Sequence, residues 1–332
     1  MSEGFRDTGR WRRRALTFPL VYLLTTVALL LAPLVLLCTI AIDLTRRARL
    51  AITRGVVFVL WLLFCESWGL LAMFGLWLAR PLLSATRYRD LSYGIQSAWT
   101  GALCRGIIVL YSMSLEVEGA ECMLPGPVLL LGRHASTADT VLPMMVAVTP
   151  FGLQARYVLK RELLWDPCLD LHGQRFPNAF IKRGAGARDI AQITALLDDL
   201  RDNNVIVLYP EGTRYSPRRH ARRLAKLEER DDPMLDHARS LHHTLPPHSG
   251  GVLALLDRAP ELDVVLFAHV GLDRVRTLAD AFNGSLINNR LQVKLWRVPA
   301  ATIPRDDEGR RRWLYEEWIK IDRWVGDRAG TK

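Results

Sequence analysis

The stretch GPVLLLGRHASTAD, residues 126–139, decides how this chain is read. Pro127–Leu131 is a short apolar run closed by Gly126 and Gly132, the pattern of a strand buried on both faces. His134 and Asp139 follow at once. They fall in the turn that leaves the strand and in the first turn of a helix expected over Thr137–Val148, which Thr149-Pro150 ends. At that spacing the carboxylate can accept from one imidazole nitrogen and leave the other as a general base. The N-terminus of the helix offers unpaired N–H groups to an anion. Taken alone, these residues read more simply as a capping aspartate and a satisfied loop histidine.

Two more strand ends carry matching chemistry. Val205–Tyr209 is a buried-strand pattern that runs into YPEGTR, residues 209–214. Gly212 permits a tight turn, Arg214 presents a planar fork to a phosphate, and Glu211 would orient that arginine or a substrate hydroxyl. FIKRG, residues 180–184, ends a third short strand on the adjacent cations Lys182 and Arg183. Each motif by itself reads as a surface turn or a solvated basic pair. Together they supply a base, its orienter and anion-binding arginines at strand ends, where open α/β sheets hold their ligands. That set suits transfer of a group onto a hydroxyl of a phosphate-bearing substrate. A GxSxG nucleophile elbow is missing, which argues against a serine lipase. GxxxxGK[ST] and GxGxxG are missing too, which argues against nucleotide-fuelled or dinucleotide chemistry.

Around these motifs the texture is that of an α/β domain. Strands are expected at Gln154–Leu159, Leu262–Val270 and Leu291–Val298. Helices are expected through Ile190, Ile193, Leu197 and Leu200, over Gly250–Leu256, and through Trp313, Leu314, Trp318, Ile321 and Val325. Residues 216–245, rich in Arg and His, read as an exposed helical insertion. Residues 91–114 read as a bridging amphipathic helix. His172, His220, His237, His242, His243, His248 and His269 have no acid at useful spacing and read as surface or internally satisfied residues. Asn283-Gly284-Ser285 matches a glycosylation sequon by pattern.

The N-terminal part differs. Residues 15–42 are 28 positions without a charged side chain, long enough at 1.5 Å per residue to cross a hydrocarbon core of about 30 Å, with Pro33 placed to allow a kink. Residues 55–79 form a second apolar segment with Glu66 as its one charge, read as protonated or bonded to a partner between helices. Arginines flank both ends of the first segment: Arg12, Arg13 and Arg14 before it, then Arg46, Arg47, Arg49 and Arg54 after it. Two full crossings, a hairpin that dips into one leaflet and returns, and a single span all remain open.

The 332 residues carry a net charge of +10, and half of them are hydrophobic, which excludes disorder as the main state. Residues 1–54 hold nine arginines against three acids, so much of the basic excess sits beside the apolar segments. That placement points to anionic lipid and away from nucleic acid, for which no recognisable module is present. Five cysteines without a CxxC pair exclude a disulfide scaffold and a zinc ribbon, and no metal site is expected.

The motif set resembles the glycerolipid acyltransferase family, which includes the 1-acylglycerol-3-phosphate acyltransferases. His134 and Asp139 match its H-x4-D motif, with Ser136 also as in many members. Tyr209–Arg214 matches its F-P-E-G-T-R motif, and Asn178–Arg183 its G-x-x-F-I-x-R motif. RYVLKREL, residues 156–163, is similar to the segment before that last motif. LPPHSGG, residues 245–251, and the Trp318–Asp322 region are similar to one eukaryotic-type branch. The chain departs from the pattern at Arg133, often Asn; at Asn178, usually Gly; and in Val264–Val270, which lacks a common Pro.

The resemblance covers about 91–325 and implies an α/β fold: a mixed sheet flanked by helices, preceded by an N-terminal hydrophobic helical hairpin. Residues 1–90 would anchor the chain in the membrane, and 91–332 would form the acyltransferase domain with the insertion around 216–245. It implies a membrane-bound enzyme, integral or monotopic, with its active site on the cytoplasmic face. A fatty acyl group would pass from acyl-CoA or acyl-carrier protein to the free hydroxyl of a lysophospholipid, 1-acylglycerol-3-phosphate first among them, with no bound cofactor. His134 would take the hydroxyl proton and Asp139 would orient it. Arg183 and Arg214, with Lys160 as a weaker candidate, would hold the acceptor phosphate. Glu211, Gly212 and Thr213 complete the expected substrate-binding set. A lysophosphatidylinositol or lysocardiolipin acceptor, or a lipid-binding protein of the same fold without turnover, are the alternatives.

Overall fold

Three continuous apolar runs make the centre of the sheet. In the computed structural model, which describes residues 9–182, 186–273, 275 and 277–329, seven strands form one sheet. They are β1 (Ser114–Glu118), β2 (Val128–Gly132), β3 (Gln154–Lys160), β4 (Ala179–Ile181), β5 (Asn204–Leu208), β6 (Asp263–Val270) and β7 (Arg290–Val298). Their order is β1-β7-β6-β2-β5-β3-β4. β2 runs parallel to β5 and β6, with Leu130 opposite Val207 and Val265, and β3 runs parallel to β5. β7 is antiparallel to β6. A strand covered on both faces needs apolar side chains at every position. β2 and β5 are buried throughout, and each fully buried Leu or Ile contributes roughly 1.5–3 kcal/mol.

The chain divides into two compact units. The sheet unit comprises 115–159, 179–276 and 290 onward. Its helices are α5 (Ala187–Thr194), α6 (Pro217–Glu228), α7 (Leu235–Arg239), α8 (Gly250–Arg258) and α9 (Asp307–Ala329). α8 and α9 cover one face: Val252, Leu255, Trp313, Leu314, Trp318 and Ile321 pack with Leu129, Leu131, Ile206 and Leu266.

Two expectations are corrected in this unit. The single helix expected over 137–148 is broken. A 3-10 turn at Thr137–Thr140 is followed by one wide π turn at Met144–Val148, because Pro143 has no N–H to continue a regular ladder. The 216–245 segment is only half exposed. α6 buries no residue, but Met234 and Ala238 pack on Tyr315 of α9, so the second part of the segment joins the core. β1 was not expected. It is a short edge strand whose Glu116 and Glu118 meet Arg290 and Lys294 of β7.

The other unit holds residues up to Ser114 together with Lys160–Asn178 and Thr277–Asn289. α1 (Arg10–Arg46) and α2 (Ala51–Leu78) are long and apolar enough to cross a membrane by length and composition, and α1 continues through Pro19 and Pro33. The tight connection between them is fixed by Asp43, whose carboxylate accepts from the N–H groups of Ile52 and Thr53 at 3.2 and 2.8 Å. This satisfies orphan donors at the start of α2. Thr25 Oγ1 and Ser67 Oγ, 2.8 Å apart, join the helices further along. α3 (Ala85–Leu110) packs on α2, where Gly106 lets the Trp61 ring approach and donate to the Ala102 carbonyl at 3.0 Å. Glu66 is buried, and its Oε2 accepts from the Cys168 N–H at 3.2 Å, in the first turn of α4 (Pro167–Gly173). Arg13 and Arg14 pair with buried Asp170 on the same helix at 2.8 and 2.9 Å.

Candidate active site

Parallel pairing brings the ends of β5, β2 and β6 to one edge of the sheet. The residues that follow β2 and β5 therefore meet, although 75 positions separate His134 from Tyr209. Gly132, the last residue of β2, allows this: a Cβ there would lie 2.6 Å from the Tyr209 ring. That ring stands 5.3 Å from the His134 ring, and its hydroxyl donates to the Asp139 carbonyl.

His134 Nδ1 lies 3.0 Å from Asp139 Oδ2. The same oxygen accepts from the N–H groups of Ala135 at 2.6 Å and Ser136 at 2.7 Å. Asp139 is wholly buried. Burial by itself pushes its carboxyl up, but the imidazoles of His269 and His134 outweigh this and hold it well below the usual carboxylate range. An ionised Asp139 fixes the hydrogen of His134 on Nδ1. Nε2 then carries the free lone pair of the ring, whose side chain is 13% exposed.

Glu211 was expected to face the acceptor or Arg214. It is instead wholly buried, with Oε1 accepting from the His134 N–H and Oε2 from the Leu245 N–H, both at 2.9 Å. Burial pushes its carboxyl up to about 7 against those hydrogen bonds. The role visible in the structure is a brace between loops, not a surface contact. Leu245 is fixed in turn by α9. The Asp322 carboxylate accepts from His242, His243 and Thr244 backbone N–H groups at 2.7–3.1 Å, which ties the segment before Leu245 to the terminal helix.

Gly212 adopts φ +60, where a side chain would be strained, and its N–H returns to the Tyr209 carbonyl at 2.8 Å. Thr213 and Arg214 are part-exposed in the same turn, and the next N–H, of Tyr215, donates to the His134 carbonyl at 3.1 Å. Lys160 closes β3 and is grouped with the other unit. Arg183 lies outside the described residues.

The sequence reading missed two residues at this edge. His269 near the end of β6 is wholly buried, with Nε2 3.3 Å from Asp139 Oδ1. Arg133 is buried, donates to the His269 carbonyl at 2.6 Å and pairs with Asp273 at 2.5 Å. The signal for both was an isolated polar residue in or next to an otherwise apolar strand run.

Known proteins share part of this sequence and its fold. Residues 114–251 match the family model described as Acyltransferase. The chain is 32% identical over 92 residues to a mouse protein (Mus musculus), 1-acyl-sn-glycerol-3-phosphate acyltransferase epsilon; the match spans 27% of this chain and a quarter of that relative's length. The fold is similar to the crystal structure of the 1-acyl-sn-glycerophosphate (LPA) acyltransferase PlsC from Thermotoga maritima, with a TM-score of 0.58 at 15% identity, over 84% of this chain and 98% of that one. Residues 114–251 therefore carry the sequence pattern of the acyltransferase family.

Proposed function

We propose that this protein is a membrane-bound acyltransferase that moves a fatty acyl group from an acyl thioester to the free hydroxyl of a lysophospholipid, with 1-acylglycerol-3-phosphate as the acceptor and phosphatidic acid as the product. The observation that carries the reading is His134: Nδ1 is held by a buried, ionised Asp139 at 3.0 Å, and Nε2 is left bare on the part-exposed edge.

Nε2 takes the proton of the acceptor hydroxyl as its oxygen attacks the thioester carbonyl. Asp139 stabilises the imidazolium that forms, and the proton passes to the leaving thiolate as the tetrahedral intermediate collapses. No covalent acyl-enzyme is needed. Arg183 and Arg214 hold the acceptor phosphate, with Lys160 as a further cation. Gly212 and Thr213 shape the turn that presents Arg214, and Glu211 acts through the backbone of His134. Acyl-CoA or acyl-carrier protein supplies the thioester. α1 and α2 hold the protein in the bilayer, and the site works on the cytoplasmic face. The many exposed leucines of α1, among them Leu23, Leu30 and Leu37, support immersion in lipid.

The test is acyl transfer by the purified protein in detergent, with labelled acyl-CoA or acyl-carrier protein and a panel of lysophospholipids. Product from lysophosphatidic acid is the expected result. Product only from lysophosphatidylinositol or lysocardiolipin would keep the mechanism and move the acceptor. Lysolipid binding without turnover on either donor would contradict the enzymatic reading.

A further inference from the structure

β6 is buried along nearly its whole length, and its single imidazole, His269, sits between Ala268 and Val270. Nothing in the proton transfer assigned to His134 calls for a second buried histidine. Yet His269 Nε2 lies 3.3 Å from Asp139 Oδ1 and 3.3 Å from the Arg133 carbonyl oxygen. Two acceptors face this nitrogen, so it carries a hydrogen in either charge state of the ring. A bare lone pair there would confront two others in a site closed to water. The hydrogen bonds the Arg133 carbonyl; Asp139 Oδ1 lies as near but has no hydrogen-bond partner among the described residues, and neither has His269 Nδ1.

The two oxygens of Asp139 are held unequally. Oδ2 takes the His134 ring and two backbone N–H groups. Oδ1 has no hydrogen bond among the described residues and faces the His269 ring, whose Nε2 stands 3.3 Å away. Arg133 sets the height of that ring by donating to the His269 carbonyl at 2.6 Å. The charged groups around the cluster come from each neighbouring element: Arg133 and His134 from the exit of β2, Asp139 from the turn beyond it, Glu211 from the turn after β5, and Asp273 from the segment after β6. Arg133 and Asp273 pair with each other, which leaves the two imidazoles as the partners of Asp139.

We infer that His269 is a positioning residue for the His134–Asp139 pair: its ring, anchored by Nε2–H on the Arg133 carbonyl, stands against the carboxylate oxygen that His134 does not hold, and so sets the charge that the carboxylate presents to His134. The inference rests on His134 acting as the general base.

The test compares His269→Leu, which removes the donor, with His269→Gln, whose side-chain amide N–H can reach the Nε2 position. Acyl transfer to lysophosphatidic acid is followed against pH. The His134 ring is titrated by nitrogen NMR in the full chain carrying labelled histidine. With the donor gone, the carboxylate is less compensated and favours the imidazolium. His269→Leu should lower kcat roughly tenfold with KM changed by less than about twofold. It should also raise both the acidic limb of kcat/KM and the His134 midpoint by about half a pH unit. His269→Gln should recover most of both.

Equal loss in the two variants with an unmoved His134 midpoint would overturn the inference, because His269 would then only fill space. Wild-type kcat and midpoint in His269→Leu would overturn it too. If His269→Leu does not fold, Asp139→Asn decides: the Nε2–H resonance of His269 shifts if the charge on Oδ1 acts on that ring, and an unshifted resonance refutes the inference. The NMR readouts need no turnover. A wild-type protein that transfers no acyl group would refute the acyltransferase reading, while the titration would still decide the place of His269.

Discussion

Asp139 and Glu211 are both wholly buried, both stand where a parallel strand ends, and both accept two backbone N–H groups. Their carboxyls nevertheless move in opposite directions. Glu211, with backbone dipoles as its close partners, is pushed up to about 7 by burial. Asp139 adds two imidazoles to the same kind of cradle and stays far below the usual range. Depth is common to both, so it does not separate them. The titratable partner does. A carboxylate that faces an imidazole can support a cation during proton transfer, whereas one whose hydrogen bonds all come from backbone amides holds two loops together.

The comparison can be broken at Asp139 first. Asp139→Asn removes the charge that fixes the His134 tautomer, and we expect kcat to fall about 10²–10³-fold with the fold retained. A loss below about threefold would mean that the charge plays no part in turnover. Glu211→Gln should act mainly on stability. The amide NH₂ must face one of the two backbone N–H groups, leaving a buried donor unpaired, so unfolding by denaturant should show a loss of about 1–3 kcal/mol.

The same variant also tests the sign of the pH dependence. Because the folded state raises Glu211 from 4.5 to about 7, the native protein binds the proton more tightly than the unfolded chain does. Its contribution is complete below pH 4.5 and is lost as pH rises through about 7, an effect on the order of 3 kcal/mol. Asp139, shifted down from 3.8, contributes above that value, and its contribution is lost as pH falls below it. Stability curves of wild type minus Glu211→Gln should therefore slope downward between pH 4.5 and 7, and a flat difference would remove the contrast between the two acids. The smallest effect is expected from Gly132→Ala. Its Cβ meets the Tyr209 ring at 2.6 Å, which would shift the ring from the Asp139 carbonyl at a cost of about 1 kcal/mol in thermal or denaturant unfolding.

Much of the fold was legible because β2, β5 and β6 are buried on both faces and so appear as apolar runs interrupted only near their ends. The pairing of His134 with Asp139 was legible because five residues of local chain bring them together. Glu211 was misread because its partners, the N–H groups of His134 and Leu245, are distant in sequence and backbone donors leave no mark on side-chain pattern. His269 was passed over for a related reason. Its acid is 130 positions away and becomes adjacent only through the β2–β6 pairing. The broken helix after Asp139 shows a local signal underweighted: Pro143 lies within the periodic stretch. β1 does alternate, with Leu115 and Val117 set between Ser114, Glu116 and Glu118, but five residues make a short signal, and the strand is held at the edge by charges paired with β7.

The most direct measurement is the rate of acyl transfer by His134→Ala beside wild type, with saturating lysophosphatidic acid and labelled acyl thioester, in protein shown to be folded. The account predicts a fall in kcat of about 10³-fold or more, with lysolipid binding retained, because Nε2 is the group that accepts the hydroxyl proton. Turnover within about tenfold of wild type would contradict it and would place the base elsewhere.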